Sequence, residues 1–270
     1  MPKRKLTPKD KSGIKSLFVC SYRDGLKNSY VQLEDLRTNK VLDTWVLRDS
    51  PGIRDFRTFI DPDTLTKKGD SAPRVVGICG DELLVFTIDG HKLSDPVFLD
   101  IPGVKGLDVY EPTSQIVISL DNGSIEIGEI IKDHWQARYR FQPDLETEIT
   151  ALDFHTKDLI IFGLANGETM GFQHMKDGWL FYKVYFKHKK AVAAIQACSQ
   201  QGIIASISEN SDYIVFSKPD GTSKAVKMKQ RRKKEEKTKI LYLEFPKKKN
   251  ANYVMYVCDN GKVGKIPIPD

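Results

Sequence analysis

QIVISLDNGSIEIGEI, residues 115–130, is two short runs rich in Ile, Val and Leu joined by Asp121-Asn122-Gly123. Runs of this length and composition, bounded by Asn, Asp and Gly, are strand signals. Asn-Gly between them is the turn chemistry of a β-hairpin, and a type I′ turn is expected because it needs positive φ values. The same pattern recurs along the chain. DLIIFGLANGETMGFQH (158–174) turns at Ala165-Asn166-Gly167, and YVMYVCDNGKVGKIPI (253–268) turns at Asp259-Asn260-Gly261. GIIASISENSDYIVFSK (202–218) turns at Glu209-Asn210-Ser211, with Ser in place of Gly.

The spacing carries the next step. Asn122 to Asn166 is 44 residues and Asn166 to Asn210 is again 44. Asn210 to Asn260 is 50, and Asp81, between RVVGIC (74–79) and ELLVFTI (82–88), lies 41 before Asn122. A period of about 40–45 residues with four strands per unit is the signature of propeller blades. Four units read as complete. They begin at RDFRTFI (54–60), VKGLDVY (104–110), ITALDFH (149–155) and AVAAIQA (191–197), and end at PVFLDI (96–101), WQARYRF (135–141), WLFYKVYF (179–186) and SKAVKMK (223–229). No long stretch has a 3.6-residue apolar period. The best helix candidate, the charged run 227–239, lacks an apolar face.

In the first unit, IKSLFVCSY (14–22) is followed by YVQLEDLRTNKVLDTW (30–45). The latter resembles the third strand, turn and fourth strand of a WD40 repeat. Glu34-Asp35 stands where Trp-Asp is typical, and Arg37-Thr38-Asn39-Lys40 makes the turn. The resemblance implies an all-β, WD40-like β-propeller of six blades, with seven as the alternative count. It covers most of residues 14–268. No strand is visible before residue 14, and the last unit, KILYLEF (239–245) onward, stops after three strands. An unpaired edge is a template for another chain. Three outcomes are open: a strand from residues 1–13, a three-stranded last blade, or a strand donated by a partner at the seam between 14–22 and 253–268. Lys- and Pro-rich sequence is a poor strand former. The domain reading is a basic tail over 1–13 and one propeller domain over 14–270, with a basic inter-blade loop at 227–239.

Composition narrows the class. Of the 270 residues, 40% are hydrophobic and 29% charged, near the globular average. No uncharged apolar run of membrane-spanning length occurs, and the N-terminal charges are not followed by an apolar segment as in a secretory signal. Cys20, Cys79, Cys198 and Cys258 form no CxxC pair, so a disulfide scaffold or zinc finger has little support and a nuclear or cytosolic chain with reduced thiols is expected. The net charge of +6 is unevenly spread: residues 224–239 carry +7 and residues 1–15 carry +5, which leaves the rest at −6. The basic character belongs to a tail and a loop, not to the body.

Catalytic motifs are missing. There is no GxSxG, GxxxxGK[ST], GxGxxG or HExxH. His91, His134, His155, His174 and His188 have no metal-ligand spacing; His155 and His174 share one unit and could approach. Asp61 and Asp63, in IDPDTLTKKGD, read as turn-shaping loop residues. The expectation is therefore a non-enzyme without catalytic residues, metal or cofactor. The sharper signals are basic. Lys3, Arg4 and Lys5, with Lys229, Arg231, Arg232, Lys233 and Lys234, read as nuclear-localisation or nucleic-acid contacts. If both clusters touched phosphates, binding would fall steeply with salt. The run has no interleaved aromatics, so a base-stacking site is not supported. In WLFYKVYF, simple alternation puts Trp179, Phe181, Lys183 and Tyr185 on one face. Packing between blades accounts for most of that strand, with Trp179 and Tyr185 the candidates for a partner surface.

The sequence thus points to a scaffold or adaptor subunit of a nuclear multiprotein or ribonucleoprotein complex, nuclear or nucleolar, with cytoplasmic location as the alternative. The competing reading is an RNA- or DNA-contacting assembly factor, for example in ribosome biogenesis. Its partners would be proteins, with RNA or DNA through the basic segments, and no membrane.

Overall fold

A computed structural model describes residues 4–5, 17–24, 27–35, 38, 40–65, 71–228, 240–246, 252–258 and 262–269. Every regular element among them is a strand. The chain divides into two compact units, Lys3–Gln142 and Pro143–Asp270.

The first unit holds three small antiparallel sheets. The first joins β1 (Arg4–Lys5), β2 (Leu17–Arg23), β3 (Ser29–Asp35) and β4 (Lys40–Leu47) in that order. The second is built from β5 (Ile53–Leu65), β6 (Ser71–Cys79) and β7 (Glu82–Asp89), and both β8 (Lys92–Leu93) and β9 (Val97–Leu99) pair with β7. The third joins β10 (Val104–Tyr110), β11 (Gln115–Leu120), β12 (Ile125–Ile131) and β13 (His134–Phe141).

The second unit repeats the plan. One sheet joins β14 (Ile149–Thr156), β15 (Leu159–Leu164), β16 (Glu168–Met175) and β17 (Gly178–Lys187). The next joins β18 (Val192–Cys198), β19 (Ile203–Ser208), β20 (Tyr213–Ser217) and β21 (Ser223–Lys227). The last has three strands among the described residues, β22 (Ile240–Glu244), β23 (Tyr253–Cys258) and β24 (Val263–Pro267). Five sheets thus carry four strands or more, and the all-β, propeller-like succession of small meanders expected from the repeat spacing is present.

Burial follows strand order within each meander. Whereas β3 alternates and β24 is mostly exposed, in the four middle sheets the second and third strands are largely buried on both faces, as in IIASIS of β19 and QIVISL of β11. That is why the sequence there reads as a continuous apolar run and not as alternation. The fourth strands, such as β13 and β21, are mostly exposed. Neighbouring sheets pack face to face through these middle strands. Val76, Ile78 and Val85 of the second sheet join Leu107, Ile116 and Ile118 of the third in one cluster. Ala205, Ile207 and Phe216 join Leu243, Val254 and Ile266 in the second unit. Each fully buried Val, Leu or Ile of this kind stabilises by roughly 1.5–3 kcal/mol.

Three local expectations change. Arg4 and Lys5, read as part of a tail, pair with Val19 and Phe18 and supply the first strand of their sheet, though only two residues long. The 96–101 strand is shortened to Val97–Leu99 and shares the edge of β7 with β8. The Asn122-Gly123 and Asn166-Gly167 hairpins are not type I′, while Asp259-Asn260-Gly261 lies outside the described residues. Gly123 N–H donates to Leu120 O at 3.0 Å and only the glycine has positive φ, at 81°. This is a type I turn followed by a left-handed residue, the commonest three-residue hairpin. Asn122 Oδ1 closes it by accepting Ser124 N–H at 2.9 Å. Where Gly is replaced, Asn210 itself takes the positive φ, at 55°.

Candidate interaction surfaces

Polar residues at one position of successive first strands join neighbouring sheets. Arg57 Nε of β5 donates to Asp108 Oδ1 of β10 at 2.5 Å. In the second unit Asp153 Oδ2 of β14 accepts Gln196 Nε2 at 2.8 Å and the Ala197 N–H at 2.6 Å, both from β18. Asp108 and Asp153 are buried. A buried carboxylate needs such donors, since leaving it unpaired costs several kcal/mol. These are latches between sheets, not a reaction centre.

A second buried group was missed by sequence reasoning. Arg74 of β6 is 1% exposed. Its Nη1 donates to Asp61 Oδ2 at 2.8 Å, its Nη2 meets Asp133 Oδ1, and its guanidinium lies 5.8 Å from the centre of the Phe59 ring. Asp133 sits in the β12–β13 hairpin with φ of 63°, which turns its carboxylate toward the neighbouring sheet. Asp61 therefore is not a turn-shaping loop residue: it lies within β5, opposite Ala72, and is buried against a cation. Glu126, also buried, accepts Trp135 Nε1 at 2.8 Å and is neutralised by Arg140 of the outer strand β13.

The histidines do not converge. His155 is buried, and burial holds its imidazole below the usual range. His174 instead lies beside Asp158, 3.9 Å away, and against the Trp179 ring at 5.4 Å. His188 Nε2 meets Ser206 Oγ at 2.9 Å in a buried site beside Phe186, and desolvation pushes its pKa down to about 4. A neutral imidazole there is a hydrogen-bonding core residue. Among the described residues no group of three or more His, Cys, Asp or Glu side chains is placed to hold a metal ion.

The outer strand β17 departs from the alternation expected of it. Trp179 and Tyr185 are 8% and 4% exposed, so neither is available to a partner. Burial, and secondarily Tyr182, pushes the Tyr185 hydroxyl up to about 12. Leu180, Phe181, Tyr182 and Val184 are instead exposed, between 42% and 57%. The reason is the register. Thr169 faces Phe186 and Met170 faces Val184, so Tyr185 is extra; Gly171 faces Lys183 and Phe172 faces Phe181, so Tyr182 is extra. Each bulge inserts one residue and re-aims the side chains beyond it. Gly171 accommodates the inward Tyr185 ring, since a Cβ there would lie 2.9 Å from it.

Of the basic candidates, Lys3, Lys229, Arg231, Arg232, Lys233 and Lys234 lie outside the described residues, and Arg4 and Lys5 are described as strand backbone. Among the described residues no helix is long and apolar enough to cross a membrane. No protein-family model matches the chain, and no curated protein matches its sequence.

Proposed function

We propose that the chain is a non-enzymatic interaction scaffold, its six sheets the blades of one WD40-like propeller, acting as an adaptor subunit of a nuclear multiprotein or ribonucleoprotein complex. The observation that carries this reading is the division of labour across each meander. Buried polar groups such as Arg74, Asp108 and Asp153 are spent on holding sheets together, while apolar side chains of outer strands are left in solvent. Rigid small sheets with variable outer surfaces suit recognition. The last sheet, three-stranded among the described residues, offers a further edge that a partner strand could extend.

The test is affinity purification of the tagged full chain from nuclear and cytoplasmic extracts, with quantitative identification of what accompanies it. A stoichiometric set of nuclear proteins is expected. A chain that purifies alone from both fractions overturns the reading.

The charge of +7 within residues 224–239 favours a second reading, direct contact with RNA or DNA. Replacing Arg231, Arg232, Lys233 and Lys234 together by Ala is expected to leave the circular dichroism spectrum unchanged and to lower nuclear accumulation. If it also abolishes RNA binding whose affinity falls by orders of magnitude between low and moderate salt, the nucleic-acid reading replaces the adaptor reading. If neither property changes, the run is a solvated linker.

A further inference from the structure

The amino-terminal half of β17 is an open sheet edge with apolar side chains beside it. The strand is ten residues long and last in its sheet. Its carboxy-terminal half is covered: Ser223 Oγ donates to the Tyr185 carbonyl at 3.2 Å, and Lys183 Nζ donates to the Pro219 carbonyl. Residues 180–182 lie on the outer edge of the sheet, and Phe181 is the most exposed large apolar side chain of this sheet. Natural proteins usually blunt such an edge with charge, and here the charge is mainly positive, with Glu168 paired to Lys187 and Asp220 of the covering turn near Lys183. Residues 176–190 carry five lysines and one aspartate, and Lys218 and Lys224 flank the covering turn.

We propose that this edge receives an extended, acidic segment of a partner protein, which adds a strand beside Leu180–Tyr182 and sets apolar side chains of its two faces against Leu180 on one face of the sheet and Phe181 on the other. The proposal rests on the scaffold reading and names the chemistry of one partner. Main-chain hydrogen bonds would give affinity and alternate side chains specificity. The charge decides among occupants. A second copy would set lysines against lysines, and the basic run of this chain would do the same. RNA shares the complementary charge, but a stacking platform needs free ring faces. Lys183 Nζ lies 5.5 Å from the centre of the Tyr182 ring, and Phe181 meets Phe172 edge-on at 6.0 Å. Aliphatic Leu180 and Val184 complete a surface made for side chains, not bases.

The test uses the full chain and three fluorescent probes: a twelve-residue peptide with a central Ile-Phe-Ile-Phe run flanked on both sides by Glu, the same peptide with Lys for Glu, and a twelve-nucleotide single-stranded RNA. Anisotropy should show binding of the acidic peptide, weakened by salt, and not of the basic one. Phe181→Ala and Leu180→Ser should each weaken it about tenfold or more, the loss expected of an interface anchor. Leu180→Ser serves if loss of the Phe181–Phe172 contact perturbs folding. Val41→Ser, at an exposed position of the outer strand β4, should change nothing. Equal binding of both peptides, insensitivity to the β17 variants, RNA that displaces the acidic peptide, or dimerisation through this edge would each overturn the proposal. Cellular partners that persist on the Phe181→Ala and Leu180→Ser variants would remove this site while leaving the scaffold reading in place.

Discussion

Replacing Arg74 by methionine removes the cation from between two carboxylates and keeps most of the side-chain volume. Asp61 would remain 2% exposed with the Arg74 guanidinium gone. Breaking one side of a buried ion pair costs about 3–5 kcal/mol, because the remaining charge has no water to return to. Asp133 is 53% exposed and recovers its hydration, so its share is below about 1 kcal/mol. The loss is a large part of the roughly 5–15 kcal/mol that holds a typical domain together. Urea denaturation followed by tryptophan fluorescence is the assay. Trp45 and Trp135 lie in the first unit and Trp179 in the second, and the midpoint reported by the first unit should fall most. The double variant Asp61→Leu/Arg74→Met should recover at least about half of the loss, since an apolar pair of similar volume needs no compensation. An Arg74→Met variant that loses less than about 1 kcal/mol, or a double variant that adds the two single losses, would contradict the assignment of Arg74 as a buried ionic tie.

Asp153→Ala leaves the Ala197 N–H and the Gln196 amide without their acceptor, and a loss of about 1–3 kcal/mol in urea denaturation is expected, with Asp153→Asn milder. Asp108→Ala takes the carboxylate from Arg57, which keeps its Nη1 bond to the Phe56 carbonyl, and a loss of about 1–3 kcal/mol is expected by the same assay. His188 gives a pH dependence with a definite sign. Its folded pKa, about 4, lies below the ordinary 6.5, so the unfolded chain binds more protons in that window and stability falls as pH drops through it. Against wild type, His188→Gln should flatten denaturation midpoints between pH about 6.5 and about 4, and identical pH profiles would show that the site is not desolvated.

The middle strands of each meander were legible because double-sided burial demands continuous Ile, Val and Leu, and the hairpins because Asn and Gly serve few other purposes. The latches were present but unread. Arg57, Asp108, Asp153 and Gln196 occupy one position of successive first strands, 51, 45 and 43 residues apart. A polar residue inside an apolar strand at a repeating interval is a signal in its own right, since burial demands a partner at the same interval. Asp61 and Arg74 carried no such sign, because the strand containing Asp61 runs through Pro62 with a broken register. The faces of β17 could not be read at all from alternation. A period of two holds only while each residue has one partner, and two extra residues within four positions cancel it.

The pairing of each meander with itself, and its docking within each unit on the next along the chain, sets how far apart in sequence the native contacts lie. Most hairpins close over two to five residues, and a latch such as Asp153–Gln196 spans 43. Among the described residues no strand waits for a pairing partner from the far end of its unit. Contacts that close over short loops form early and carry little entropic cost. A chain of this design can be assembled stepwise as it emerges from synthesis. Within each unit, each new meander finds its docking face already built by the one before, and an acidic or basic side chain placed in a first strand is shielded as soon as the following sheet arrives.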